Sequence, residues 1–164
     1  MSLIERDSSC SIRLDCMALI DNKKAHFNYE IMERYEAGIE LLGIEVKAIR
    51  AKHGSLEGSH ITVRGGEAYL IGMTINPYQP NNTPKGYDAN ANRRLLLTKK
   101  EIALLANAEA KKGLTIVPIS VYNKQRKLKV EIAVVAKKKT HDKRETLKKR
   151  ESERDIMRDI KSSR

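Results

Sequence analysis

The residues of this chain best suited to chemistry are cations interleaved with aromatic rings. The stretch "DNKKAHFNYE" carries Lys23, Lys24 and His26 with Phe27 and Tyr29 among them. Cationic side chains neutralise phosphates and aromatic faces stack on unpaired bases, so this mixture suits RNA. One of the two rings is expected to serve instead as a core anchor. A second cationic group is Lys47, Arg50 and Lys52, and a third is Arg93 and Arg94 beside "LLLTKK". Each group alone is commonplace. Three of them, followed by a cationic tail, point to an anionic polymer, with nucleic acid ahead of a membrane surface.

The patterns of a catalyst are missing. His26, His53, His60 and His141 lie far apart without H-E-x-x-H spacing, and there is no G-x-S-x-G, phosphate-loop or G-x-G-x-x-G fingerprint. The sequence implies no cofactor, and no acidic cluster suggests a metal. Cys10 and Cys16 are the only cysteines and form no C-x-x-C pair, which fits a reducing cytosol. No apolar run is long enough to span a membrane, and Glu5, Arg6, Asp7, Arg13 and Asp15 interrupt any export signal. A cytoplasmic protein is expected.

These groups need elements to position them. A chain of 164 residues, 40% hydrophobic, suffices for one domain with a core. "YEIMERY" alternates as a strand, Ile39, Leu41 and Leu42 suggest another, and Val46, Ile49 and Arg50 suit a short helix, with Glu45, Lys47 and Arg50 largely off its buried side. Ile61, Val63, Ala68 and Leu70 flank Gly65-Gly66 as a hairpin. A proline-rich loop follows. "TKKEIALLANAEAKKG" reads as a helix capped by Thr98 and Glu101, with Ile102, Leu105 and Ala106 inward. "LTIVPISVY" and "LKVEIAVV" are strands joined by residues 123–127, with Pro118 at an edge or a bulge. This order predicts a mainly β body with short helices, closed as a small antiparallel OB-like barrel over residues 22–135. Residues 1–21 read as a disordered extension.

The tail is different. The formal charge of the chain is +11; residues 137–164 hold twelve Lys and Arg and six Asp and Glu, hence +6 of it. Leu147, Ile156, Met157 and Ile160 are their only large apolar side chains. So little apolar surface cannot offset the entropy of ordering, and the segment is expected to fold only against an anionic partner.

Five ordered stretches carry a resemblance: "NKKAHFNYEIMERYEAGIELLGIEVKAIRA", "GEAYLIGMTINPY", "RRLLLTKKEI", "KGLTIVPISVY" and "KKKTHDKRE". From about Asn22 to the C-terminus the chain resembles the small protein B family, bacterial partners of transfer-messenger RNA. The resemblance implies a monomeric OB-like barrel that binds the tRNA-like part of that RNA. It also implies indirect dealings with alanyl-tRNA synthetase and elongation factor Tu, and delivery to stalled ribosomes for trans-translation, without catalysis. The tail, residues 136–164, would become helical on the ribosome, in the small-subunit decoding centre and mRNA channel.

By position, the resemblance implies that Asn22, Lys23, Tyr29, Glu36 and Leu95 contact or shape the RNA surface, beside the cationic candidates Lys24, His26, Lys47, Arg50, Arg93 and Arg94. His141 would stack on a ribosomal base, Asp142, Lys143 and Arg144 match the tail motif, and Lys138, Lys139, Lys148, Lys149 and Arg150 add cations. Glu36 either accepts from base amino or ribose hydroxyl groups, or holds a neighbouring cation in a structural ion pair. Departures are visible too. His26 and Phe27 stand where the family usually has Arg-His, Ala89 and Ala91 replace proline and arginine, and Lys137 replaces a glycine hinge. The match begins five residues after Met17, which suggests a natural start there in place of Met1. The rival readings are a generic ribosome-associated or single-stranded RNA-binding module, and a nucleic-acid enzyme.

Overall fold

The computed structural model describes residues 18–79 and 83–138. The tail candidates Lys139, His141, Asp142, Lys143, Arg144, Lys148, Lys149 and Arg150 therefore lie outside the described residues, as does the choice between Met1 and Met17. In chain order the elements are β1 (Ala18–Asp21), α1 (Lys23–Asn28), β2 (Tyr29–Ile39), α2 (Gly43–Arg50), β3 (Gly54–Ser55), β4 (His60–Arg64), β5 (Glu67–Ile71), β6 (Thr74–Ile75), β7 (Arg93–Leu96), α3 (Lys99–Ala110), β8 (Leu114–Lys124) and β9 (Lys127–Lys137).

Seven strands form one antiparallel sheet in the order β1-β8-β4-β5-β7-β2-β9, and β9 pairs in turn with β8. Pairing thus runs from β8 through β4, β5, β7, β2 and β9 back to β8. The long strands bend as they go: register shifts fall between Ile31 and Glu33 on β2 and between Pro118 and Ser120 on β8. Pro118 stands at a bulge, where its missing N–H interrupts no regular ladder.

Alternation on β9 decides what each face covers. Leu128, Val130, Ile132 and Val134 enter the main core with Ile49, Leu70, Ile116 and Leu105. Each fully buried Ile or Leu contributes about 1.5–3 kcal/mol. Ala133 and Val135 face the opposite way and join Val117, Ile119 and Ala25, with Tyr29 and Ile31 packed against them. Helix α1 is the lid of that second cluster, which explains why "IAVV" is apolar at every position.

Several expectations are corrected. Residues 18–21 are not a disordered extension, because β1 pairs with β8 through Ile20↔Val121 and Asp21↔Ser120. Lys23–Asn28 are helical, with Asn22 as N-cap. Leu41 and Leu42 belong to no strand, since β2 runs unbroken to Ile39 and α2 starts at Gly43. The β8–β9 connection narrows to residues 125–126. The hairpin around Gly65-Gly66 and helix α3 form as read, with Thr98 Oγ1 accepting from the Glu101 amide and the Glu101 carboxylate accepting from the Thr98 amide.

Candidate nucleic-acid interface

Helix α1 divides its candidates between surface and scaffold. Lys23, Lys24 and His26 are exposed. Lys24 pairs with Glu57 at 2.6 Å, in a contact open enough to contribute little. Asn22 is buried: its Oδ1 accepts from the Ala25 amide at 3.1 Å, and its Nδ2 donates to the Leu56 and Pro118 carbonyls, both at 3.1 Å. With its amide spent internally, Asn22 positions α1 and does not itself present a contact to RNA. Tyr29 is the core anchor of its pair, lying against the second cluster.

The third group splits across the two faces of β7. Arg93 is 3% exposed and Leu95 2%, so neither reaches a phosphate. All five Arg93 donors are used: Nε and Nη2 to Glu45 Oε1 at 3.0 and 2.7 Å, Nη1 to the Met73 and Ala91 carbonyls, and Nη2 to the Ala89 carbonyl. Ala89 and Ala91 thus serve through their backbones. Glu45, placed by the sequence off the buried side of α2, is 4% exposed, and its other oxygen accepts from the Leu42 amide at 2.9 Å. A charge is tolerated there because its counter-charge lies against it, with two guanidinium N–H groups converging on Oε1. Arg94, on the opposite face, is about half exposed and pairs with Glu67 at 2.5 Å.

Glu36 is engaged in ion pairs. On the outer face of the β2–β9–β8 ribbon, its carboxylate accepts from Lys124 at 2.8 Å and Tyr122 at 2.5 Å, with Lys129 at 3.2 Å. The hydrogen bonds from Lys124 and then Tyr122 hold its carboxyl down at about 2. Beside it, Arg34 pairs with Glu131 at 2.9 Å, and Ser120 donates to the same carboxylate at 3.1 Å. The acid therefore fixes cations at the surface.

Lys129 also lines a cleft of ≈ 460 Å³ between α2, β7 and the β8–β9 hairpin. Its rim carries Arg50, Arg126, Lys127 and Lys129; its floor includes Ile39, Val46 and Leu96. Leu96 is 55% exposed, so the open leucine of β7 is the neighbour of the one singled out from the sequence. On a strand, a shift of one residue reverses the face. Lys47 is exposed on α2, near Arg50 in sequence. Of the three expected groups, only α2 reaches this cleft with a cation; Lys23, Lys24 and His26 belong to α1, over the second apolar cluster. The sequence reading missed Tyr122, Lys124, Arg126, Lys127, Lys129 and Leu96. Alternation against Leu128 and Val130 signalled that Lys129 faces outward, but not what it meets. Lys138 stands at the far end of β9, its amide donating to the Asn28 carbonyl at 3.1 Å and its Nζ to the His26 carbonyl at 3.4 Å.

No group of His, Cys, Asp and Glu able to hold a metal occurs among the described residues, and no described helix is long and apolar enough to cross a membrane.

Comparison with known proteins follows the same lines. A family model described as SmpB protein matches residues 19–162. An SsrA-binding protein of Gloeothece citriformis is 48% identical over 143 residues, covering 87% of this chain and 92% of that protein. One from Mycoplasma mycoides subsp. mycoides is 43% identical, covering 87% and 97%. A solved structure from "tmRNA-SmpB: a journey to the center of the bacterial ribosome" shares 37% identity, with a TM-score of 0.63 over 77% of this chain and 87% of that chain. With nearly its whole described body inside these matches, the chain belongs to the SmpB family of SsrA-binding proteins.

Proposed function

We propose that this protein binds the tRNA-like part of transfer-messenger RNA and carries it to stalled ribosomes for trans-translation, as a binder and not a catalyst. The observation that carries the reading is the basic cleft: Arg50 and Lys129 stand over an apolar floor that includes the exposed Leu96. Cations at such a rim neutralise phosphates, and the floor receives the apolar faces of riboses and bases. The ion pairs of Glu36 hold Lys124 and Lys129 ready, so less side-chain entropy is lost when RNA arrives. Lys23, His26, Lys47 and Arg94 extend the positive surface, while Asn22, Tyr29, Arg93 and Leu95 keep it in shape.

The circuit of strand pairings supports an OB-like barrel for the body. The charging of the RNA by alanyl-tRNA synthetase and its delivery by elongation factor Tu involve this protein through the RNA, in the cytoplasm and as a monomer. The tail, with His141, Asp142, Lys143 and Arg144, enters the decoding centre and mRNA channel and gains helical structure against ribosomal RNA. The test is competition binding at physiological salt. The tRNA-like RNA should outcompete an unrelated hairpin, and equal binding would overturn the reading. Replacing Asp142, Lys143 and Arg144 together by alanine should leave RNA binding nearly intact and abolish peptide tagging.

A further inference from the structure

The β8–β9 turn is made of Gln125 and Arg126, both in the left-handed region, with φ of 50° and 65°. Two-residue hairpin turns with positive φ at both positions are normally Asn-Gly, Asp-Gly or Gly-Gly, because a side chain at Cβ disfavours that backbone. Among the described residues, Lys52 is the one other non-glycine with positive φ. Lys52 has a local compensation: its amide reaches the Ile49 carbonyl and that of His53 the Ala48 carbonyl, closing α2 with a double backbone bond. The hairpin turn is closed by the Lys124↔Lys127 pair but gains nothing from burial, since Gln125 and Arg126 are exposed. Strain kept at an exposed position calls for a use of the side chain.

The use is visible at the cleft. Arg126 lines it with Arg50, Lys127 and Lys129, and the Arg126 carbonyl accepts from Arg50 Nη2 at 3.3 Å, tying the turn to α2. We infer that the β8–β9 turn forgoes its favoured residues so that Arg126 can supply a phosphate contact at the rim of the cleft, an inference that rests on the cleft being the RNA-binding face. The turn trades stability for affinity at one residue.

The experiment uses the full chain and the tRNA-like half of transfer-messenger RNA. Gln125→Asn with Arg126→Gly relaxes the turn and keeps the carbonyl that Arg50 uses. The melting temperature should rise by a few degrees, while affinity falls about tenfold and the log–log salt dependence loses about one unit of slope. Arg126→Lys keeps both strain and charge, and should retain the wild-type slope. A relaxed variant that melts higher yet binds with wild-type affinity and slope would overturn the inference, as would a melting temperature that does not rise. Leu96→Asp separates the two layers. If it weakens binding and the relaxed turn does not, only the role of Arg126 falls; if neither does, the cleft reading falls with it.

Discussion

Replacing Arg93 is the sharpest test of the division between scaffold and surface, because its sequence context and its environment give opposite answers. The guanidinium makes five hydrogen bonds, two to Glu45 Oε1 and three to the Met73, Ala91 and Ala89 carbonyls, over distances of 2.6–3.0 Å. Both charged side chains are almost completely buried, at 3% and 5% exposure. Arg93→Ala would leave the buried Glu45 carboxylate without its counter-charge and take the Arg93 donors from the Met73, Ala91 and Ala89 carbonyls, of which the last keeps the Ile75 amide. Breaking a buried pair in this way costs about 3–5 kcal/mol. For a domain of this size that is a fall of about 10–20 °C in melting temperature. Arg93→Lys keeps the charge but brings three donors and no planar fork, so it should recover only part of the loss. Changing Glu45→Leu together with Arg93→Met removes both charges and should be more stable than Arg93→Ala, with the Met73 and Ala91 carbonyls and the uncapped Leu42 amide as the residual defect. The assay is thermal melting by circular dichroism, paired with RNA titration well below the lowest transition. An Arg93→Ala protein that melts like wild type but no longer binds RNA would refute the reasoning and return Arg93 to the interface.

The two leucines of β7 make a paired prediction: Leu95→Ala should lower stability by about 2–5 kcal/mol because Leu95 is 2% exposed, read from denaturant midpoints. Leu96→Asp should leave those midpoints close to wild type and weaken RNA binding; the reverse pattern would mean that the face of β7 has been misassigned. Glu36 predicts an acid dependence. Its folded value near 2 lies below its ordinary 4.5, so the stability it confers is present above that ordinary value and is lost as pH falls towards 2. Glu36→Gln should therefore flatten the fall of the urea midpoint over that window, and an unchanged slope would show that its ion pairs do not stabilise the fold.

What was legible in the sequence was local. The Gly65-Gly66 hairpin, the Thr98–Glu101 box and the bulge at Pro118 all depend on residues within a few positions of one another, where backbone preference and side-chain reach decide the outcome. The site was legible only as a composition. Arg93 and Arg94 are adjacent and identical, and what separates them is Glu45, 48 positions away, which lies beneath one and not the other. Glu36 meets Lys124 across 88 positions, a contact created when β2, β9 and β8 align. Asn22 looked like a surface residue because its environment is built from Leu56 and Pro118, both remote in sequence. Alternation said which residues share a face of a strand. It could not say which face is covered, since that depends on the order of strands in the sheet.

That order also separates the two ends of the molecule. β9 runs for 11 residues, about 35 Å at 3.3 Å per residue, with Lys127 at the rim of the cleft and Lys137 at the other end. Lys137 occupies the position where the resemblance suggested a glycine hinge, yet it pairs with Tyr29 in regular register. The next residue is held as well, its amide on the Asn28 carbonyl and its Nζ reaching the His26 carbonyl. A glycine would loosen that end of the strand through its backbone freedom, whereas a lysine in an extended, paired backbone does not. Lys138 is therefore held at a fixed point beside α1, a full strand away from the cleft. A force applied at Lys138 is met first by α1 and the end of β9. To disturb the cleft such a force would have to strain the β2–β9–β8 ladder along its length, so the Lys138 end of β9 is mechanically insulated from the cleft.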